Sequence, residues 1–125
     1  PHRAGFKAYR EGDYATARQE MTALAERGDA EAQRHLGMMY RDGQGFMPDQ
    51  HEAEKWLKRA AEQENMAARV DLAKLYADRQ SLVQDDLKAL MWFNFAATLG
   101  SREAVKLRED LMRRMTPVQV AEARS

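Results

Sequence analysis

Cysteine is absent from this chain. That excludes a disulfide framework, a thiolate metal site and a thiol nucleophile, and it leaves the cellular compartment open. Proline is scarce, with three residues in 125, so long stretches are free to form helix. Neither sign of charge is in excess, since lysine plus arginine and aspartate plus glutamate each number 20. Such a balance leaves no electrostatic footprint for nucleic acid or an anionic bilayer, and protein partners become the default expectation. No apolar run approaches the length of a membrane span, and no signal-peptide pattern stands at the start. The sequence opens on Pro1-His2-Arg3 instead of methionine, which reads as a processed or trimmed chain. A removed export signal and a cut boundary both account for it.

What is present is 44% apolar and 32% charged residues, the balance of a helix-leaning globular chain of one domain's size. An internal period organises it. At a shift of 36 residues Trp56 falls on Trp92, Tyr40 on Tyr76, Leu36 on Leu72 and Asp49 on Asp85. Ala32, Ala68 and Ala104 also align, as do Ala25, Ala61 and Ala97; Gly28 and Gly100 agree, with Glu64 breaking the series between them. Within one unit Ala32, Leu36, Met39 and Tyr40 are spaced i, i+4, i+7 and i+8, one face of a helix, and Ala53, Trp56, Ala60 and Ala61, at i, i+3, i+7 and i+8, form one face of a second.

Each unit is therefore expected to be a pair of helices, A and B, at about 29–42 and 50–63, then 65–79 and 86–99. An earlier B helix is framed by Asp13 as N-cap and Gly28 as stop, with "RAGFKAY" as its A helix. Ser101 caps a last A-type helix, and Thr116-Pro117 restarts a short one. The predicted fold is all-α, a right-handed α-solenoid of stacked antiparallel helix pairs with seven to eight helices. It holds about two and a half repeats in one domain over 1–125: a terminal pair in 1–28, a repeat in 29–64, a degenerate repeat in 65–100, and a last A-type helix with a capping helix in 101–125.

The unit "GDAEAQRHLGMMYRDGQGFMPDQHEAEKWLKRAAEQ" resembles the Sel-one-like repeat, a relative of the tetratricopeptide repeat. It holds A-x-x-x-L-G-x-x-Y, a G-x-G corner, the aspartate, A-x-x-W and A-A. The second unit departs from it with Ala73 for Gly37, and with Arg79 and Ser81 for Gly43 and Gly45; the third has Arg108 and Met112 in place of the leucine and tyrosine. The resemblance covers about residues 10–115. It implies a bacterial α-solenoid that binds proteins or peptides and performs no chemistry. Members are often exported adaptors, so a periplasmic or exported location stands ahead of a cytoplasmic one.

Other chemistry finds little support. Gly43 and Gly45 could suggest a phosphate cradle, but no strand precedes them and no Gly-Lys-Ser/Thr follows, so they read as a corner. His2, His35 and His51 lack metal-ligand spacing. The methionines sit at helical spacing and suit packing or an adaptable groove. No serine or threonine stands in a nucleophile motif, and Asp85-Asp86 open a helix where negative charge favours its dipole. No catalytic, cofactor-binding or metal-ligating residue is assigned.

The expected site is the stripe beside the core face of the A helices, which line the concave wall of a solenoid. It comprises Glu31, His35, Met38 and Asp42, then Asp71, Lys74 and Asp78, then Leu107; Ala67, Glu103, Asp110 and Arg114 complete the three sets. The expected function is a protein-interaction module or adaptor taking a protein or peptide there. The alternative is a structural or oligomerisation domain of a larger bacterial protein with no separate ligand. The tail, through Val118, Val120 and Ala121, is expected to cap the last repeat or to dock on a second copy and give an oligomer.

Overall fold

The computed structural model describes residues 2–78, 83–118 and 121. They form seven helices: α1 (His2–Arg10), α2 (Tyr14–Glu26), α3 (Ala30–Asp42), α4 (Gln50–Glu62), α5 (Met66–Asp78), α6 (Val83–Thr98) and α7 (Arg102–Arg114). No strand occurs among the described residues, so the architecture is an all-α helical repeat. The chain divides into two compact units, Pro1–Asn65 and Met66–Ser125. In the first, α1 packs on α2, α2 on α3 and α3 on α4; in the second, α5 packs on α6 and α6 on α7.

The 36-residue period is written into the helix ends as well as the core. Asp13 and Asp49 begin the B-type helices: Asp13 accepts from the Thr16 N–H at 3.2 Å, and Asp49 from the His51 and Glu52 N–H groups at 3.0 and 3.1 Å. Asp29 and Ser101 begin A-type helices, accepting from Ala32 at 2.9 Å and Ala104 at 3.0 Å. Each satisfies at least one of the orphan donors of a first helical turn, and Asp49 two.

Asp85 continues the first series, yet α6 starts at Val83 rather than at the expected 86. The reason lies one residue upstream. Pro48 disfavours helical backbone before it, whereas its counterpart Gln84 allows the helix to extend backwards. Asp85 thus falls inside the first turn instead of capping it, and among the described residues its buried Oδ2 has no hydrogen-bond partner.

The helix exits are as periodic as the entries. Gly28, Glu64 and Gly100 occupy corresponding turns with φ of 99°, 65° and 96°. The break at Glu64 is in residue type, not in geometry. Left-handed backbone costs a residue with a Cβ about 1–2 kcal/mol, and glycine's extra freedom when unfolded returns part of that. Glu64→Gly is therefore expected to stabilise the chain by about 0.5–1 kcal/mol. Urea denaturation checks this, and an unchanged or lower midpoint would refute the strain at Glu64.

The predicted apolar faces are buried. Trp56 and Trp92 are 6% and 7% exposed, and Ala32, Leu36, Met39, Ala68, Leu72, Leu75 and Tyr76 are buried with them. Alanines at positions 53, 60, 61, 89 and 96 are fully covered, which lets neighbouring backbones approach while tryptophan and leucine fill the space between. Beyond α7, Pro117 and Val118 are helical. Val118 is 68% exposed; Val120 and residues 122–125 lie outside the described residues.

Candidate functional site

The Gly-x-Gly corner joins α3 to α4. Gly43 ends α3 in the left-handed region, and its N–H donates to the Met39 carbonyl. Gln44 N–H donates to the same oxygen at 2.8 Å, and Asp49 N–H to Tyr40 at 2.9 Å. A phosphate cradle needs such amides free and aimed at a ligand; here they close the turn. Phe46 folds back to stack on Tyr40 with ring centroids 3.9 Å apart, and the Arg18 guanidinium lies 4.8 Å from the Phe46 centroid. The Tyr9 hydroxyl donates to Gln44 Oε1 at 2.8 Å, and Gln44 Nε2 donates to the Tyr14 hydroxyl at 3.3 Å. The corner is thus fastened to α1 and α2. Its counterpart with Arg79 and Ser81 lies outside the described residues.

Burial raises the Tyr9 phenol above its ordinary value, with Tyr14 and Asp42 adding to the effect and the Gln44 hydrogen bond opposing it. Tyr40 is raised by burial first and by Glu52 second. The fold therefore favours both neutral phenols. Their contribution is intact below pH 10 and fades as pH climbs through the higher folded values. Tyr9→Phe is expected to cost about 0.5–1.5 kcal/mol at neutral pH through the lost hydrogen bond, and to flatten the alkaline loss. Denaturation midpoints on either side of that pH check both parts.

In the first unit the predicted stripe is partly committed to the fold. Glu31 is exposed and accepts from Asn65 Nδ2 at 2.6 Å. His35 is not a free surface group: its ring meets Phe6 and Tyr9 edge-on at 5.0 and 5.3 Å, and its Nδ1 lies 2.8 Å from the Glu31 carbonyl. Replacing it would disturb the packing of α1 on α3. Met38 is half-buried, and Asp42 is exposed and accepts two hydrogen bonds from Arg41 at 2.9 and 3.1 Å.

The second unit gathers its share more tightly. Lys74, Asp78 and Leu107 line one groove of about 170 Å³ between α5 and α7, with Ala77, Phe93, Asp110, Leu111 and Arg114. Asp71 does not join them; it is 7% exposed and turned into the protein. The groove has an apolar floor and charged walls. Lys74 Nζ is 3.0 Å from Glu103, and Arg114 donates to the Ala77 carbonyl at 2.7 Å and to Asp86 at 3.2 Å. Phe93 and Leu111 are the floor residues that stripe reasoning omits, because they belong to the core face of their own helices. Among the described residues no three histidines or carboxylates come together as a metal site requires, and no helix is long and apolar enough to cross a membrane.

The family model of the Sel1 repeat matches residues 30–65 and 67–101, more than half of the sequence. The chain belongs to the Sel1 repeat family. Among solved structures it is similar to a protective antigen present in uropathogenic Escherichia coli strains displaying an SLR fold, at 27% identity and a TM-score of 0.86 over 96% of this chain. It is also similar to a Sel1 repeat protein from Oxalobacter formigenes, at 22% identity and a TM-score of 0.79 over 89% of this chain. The chain spans 27% and 46% of the lengths of those two proteins. Both are bacterial, in keeping with the bacterial origin expected from the sequence. No match arises among curated proteins. Sel1 repeats generally mediate protein–protein contacts and are a scaffold type rather than a catalytic one.

Proposed function

We propose that this Sel1 repeat chain is a protein-binding module that seats a protein or peptide segment on its A-type helices, with the groove between α5 and α7 as the main contact. The supporting observation is that groove. Its volume of about 170 Å³ compares with the ~150 Å³ cavity that takes up benzene, so it suits one leucine- or phenylalanine-sized anchor. Charges of both signs at Lys74, Asp78, Asp110 and Arg114 would orient polar groups on either side of the anchor. Glu31, Met38 and Asp42 are a separate proposed contact on the first unit.

Selection of displayed peptides on the intact chain, followed by binding to the Leu107→Lys/Lys74→Glu variant, tests the proposal. Affinity is expected to fall at least about tenfold, as for a central interface residue. The fold is expected to survive, because the Lys74–Glu103 pair is exposed and such pairs contribute little. Equal affinity in the variant would move the seat elsewhere. The alternative, a structural or oligomerisation segment of a larger protein, draws support from the greater length of both neighbours. It requires self-association in the intact chain and no selected peptide.

A further inference from the structure

The two repeats differ sharply at three corresponding surface positions of their B-type helices. In the first repeat these are Lys55, Arg59 and Gln63; in the second they are Met91, Phe95 and Leu99. Lys55 and Arg59 lie over the Trp56 ring at 5.0 and 4.8 Å, and Gln63 donates to Gln33 Oε1 at 2.9 Å. The first repeat therefore carries polar groups at all three places, two of them covering its tryptophan. Apolar side chains there are no requirement of the fold. Yet Met91, Phe95 and Leu99 are 44%, 46% and 42% exposed, which places a row of large apolar groups in water.

The row has a definite shape and charge. Spacing of i, i+4 and i+8 makes it a ridge one residue wide along α6 and the turn just after it, with Asn94 and Thr98 along its flank. Antiparallel packing of α5 on α6 sets Met66, one turn before Arg69, at the same end as Leu99, one turn beyond Phe95. Met66 is itself 36% exposed. The rim is cationic: Arg69 lies 5.5 Å from the Phe95 centroid, exposed Lys88 stands one turn before Met91, and exposed Arg102 follows Leu99 at the start of α7. The carboxylates of the same elements are occupied elsewhere. Asp86 pairs with Arg114, Glu103 with Lys74, Glu109 with Arg108 and Asp110 with Arg113, Asp78 lines the groove between α5 and α7, and Asp71 and Asp85 are buried.

We infer that this ridge is a second docking surface, separate from the groove between α5 and α7, and that its occupant is an amphipathic helix with acidic flanks. A narrow ridge of helical spacing fits between the side-chain rows of a partner helix. Its cationic rim selects carboxylates beside the apolar contact. A bilayer would favour a broad apolar face, which a ridge flanked by asparagine and threonine does not offer.

The probe is a fluorescent synthetic helix with leucines along one stripe and glutamates on both sides, followed by anisotropy. The decisive variant exchanges the ridge for the first repeat's own residues, Met91→Lys/Phe95→Arg/Leu99→Gln, which replaces the Phe95 edge on Trp92 with the kind of cationic cover that Lys55 and Arg59 give Trp56. Circular dichroism is expected to show an intact fold. Probe binding is expected to be saturable, weakened by salt, reduced at least about tenfold in the exchange variant, and unchanged in Leu107→Lys/Lys74→Glu. That last arm separates this surface from the proposed groove. The inference is overturned if the exchange variant binds equally well, or if a probe with lysine for glutamate binds as tightly. It is also overturned if phosphatidylglycerol vesicles are captured in place of the peptide, or if the ridge proves to be the contact of a dimer of this chain.

Discussion

Leu57→Ala is expected to lower folding stability by about 2–5 kcal/mol, a large share of the 5–15 kcal/mol that holds a typical domain. Leu57 is fully buried on α4, and it fills the space that Gly37 leaves on α3. A Cβ at position 37 would stand 2.8 Å from Leu57 Cγ and 3.2 Å from the Ala53 carbonyl oxygen. Glycine inside a helix costs about 1 kcal/mol relative to alanine, so a residue that is poor for the helix is held there by the approach of α4. The coupling follows from the same geometry. Gly37→Ala alone meets an overpacking cost of about 1–3 kcal/mol, offset by about 1 kcal/mol of helix propensity, and is expected to be neutral or destabilising. In the Leu57→Ala background the main clash is gone, so the same change is expected to stabilise. A double-mutant cycle by urea denaturation measures this, and simple additivity would show that Gly37 and Leu57 do not constrain each other.

Gly45→Ala is expected to cost about 2–4 kcal/mol, for two causes that add. The first is backbone strain, since Gly45 has φ of 81°, worth about 1–2 kcal/mol for a residue with a Cβ. The second is steric: the new methyl would lie 2.8 Å from the Tyr14 carbonyl oxygen and 3.3 Å from Tyr14 Cβ. A backbone oxygen on the first turn of α2 cannot swing aside like a flexible side chain. Gly28 and Gly100 provide the comparison, because they share the positive φ while a Cβ there meets nothing within 4 Å. Their alanine variants are expected to show the strain alone, about 1 kcal/mol. Thermal unfolding should place Gly45→Ala roughly 10 °C below the parent, with the other two between. Equal shifts at all three positions would mean that the corner is not fastened to α2.

The helical repeat was legible because its determinants are local and recur. Alanine, leucine and tryptophan at i, i+3, i+4 and i+7 specify which faces are buried, and Asp13, Asp29, Asp49 and Ser101 mark where helices begin. Even Glu64 keeps the turn that glycine makes at positions 28 and 100. The candidate site was legible only in part. Lys74, Asp78 and Leu107 meet at one groove because they lie on the facing sides of α5 and α7. His35 fails as a free surface residue because Phe6 and Tyr9 of α1 reach it, and that pairing lies outside the 36-residue period. Asp71 shares the helical position of His35 but is buried, so equal register does not ensure equal exposure. Phe93 enters the groove floor as a core residue, which a surface stripe by its nature leaves out. The start of α6 turns on one substitution, Gln84 for Pro48, whose effect is to release a constraint.

The most direct test of the binding account is site-specific photocrosslinking in source cells, with a benzophenone side chain placed at position 107 in one version of the chain and at position 58 in another. Leu107 lines the groove, whereas Lys58 is exposed on α4. If the groove seats a partner, position 107 yields a discrete heterologous crosslink that disappears on introducing Lys74→Glu, and position 58 yields none. Equal crosslinking at both positions, or a product at 107 that persists with Lys74→Glu, would contradict the groove as the binding seat.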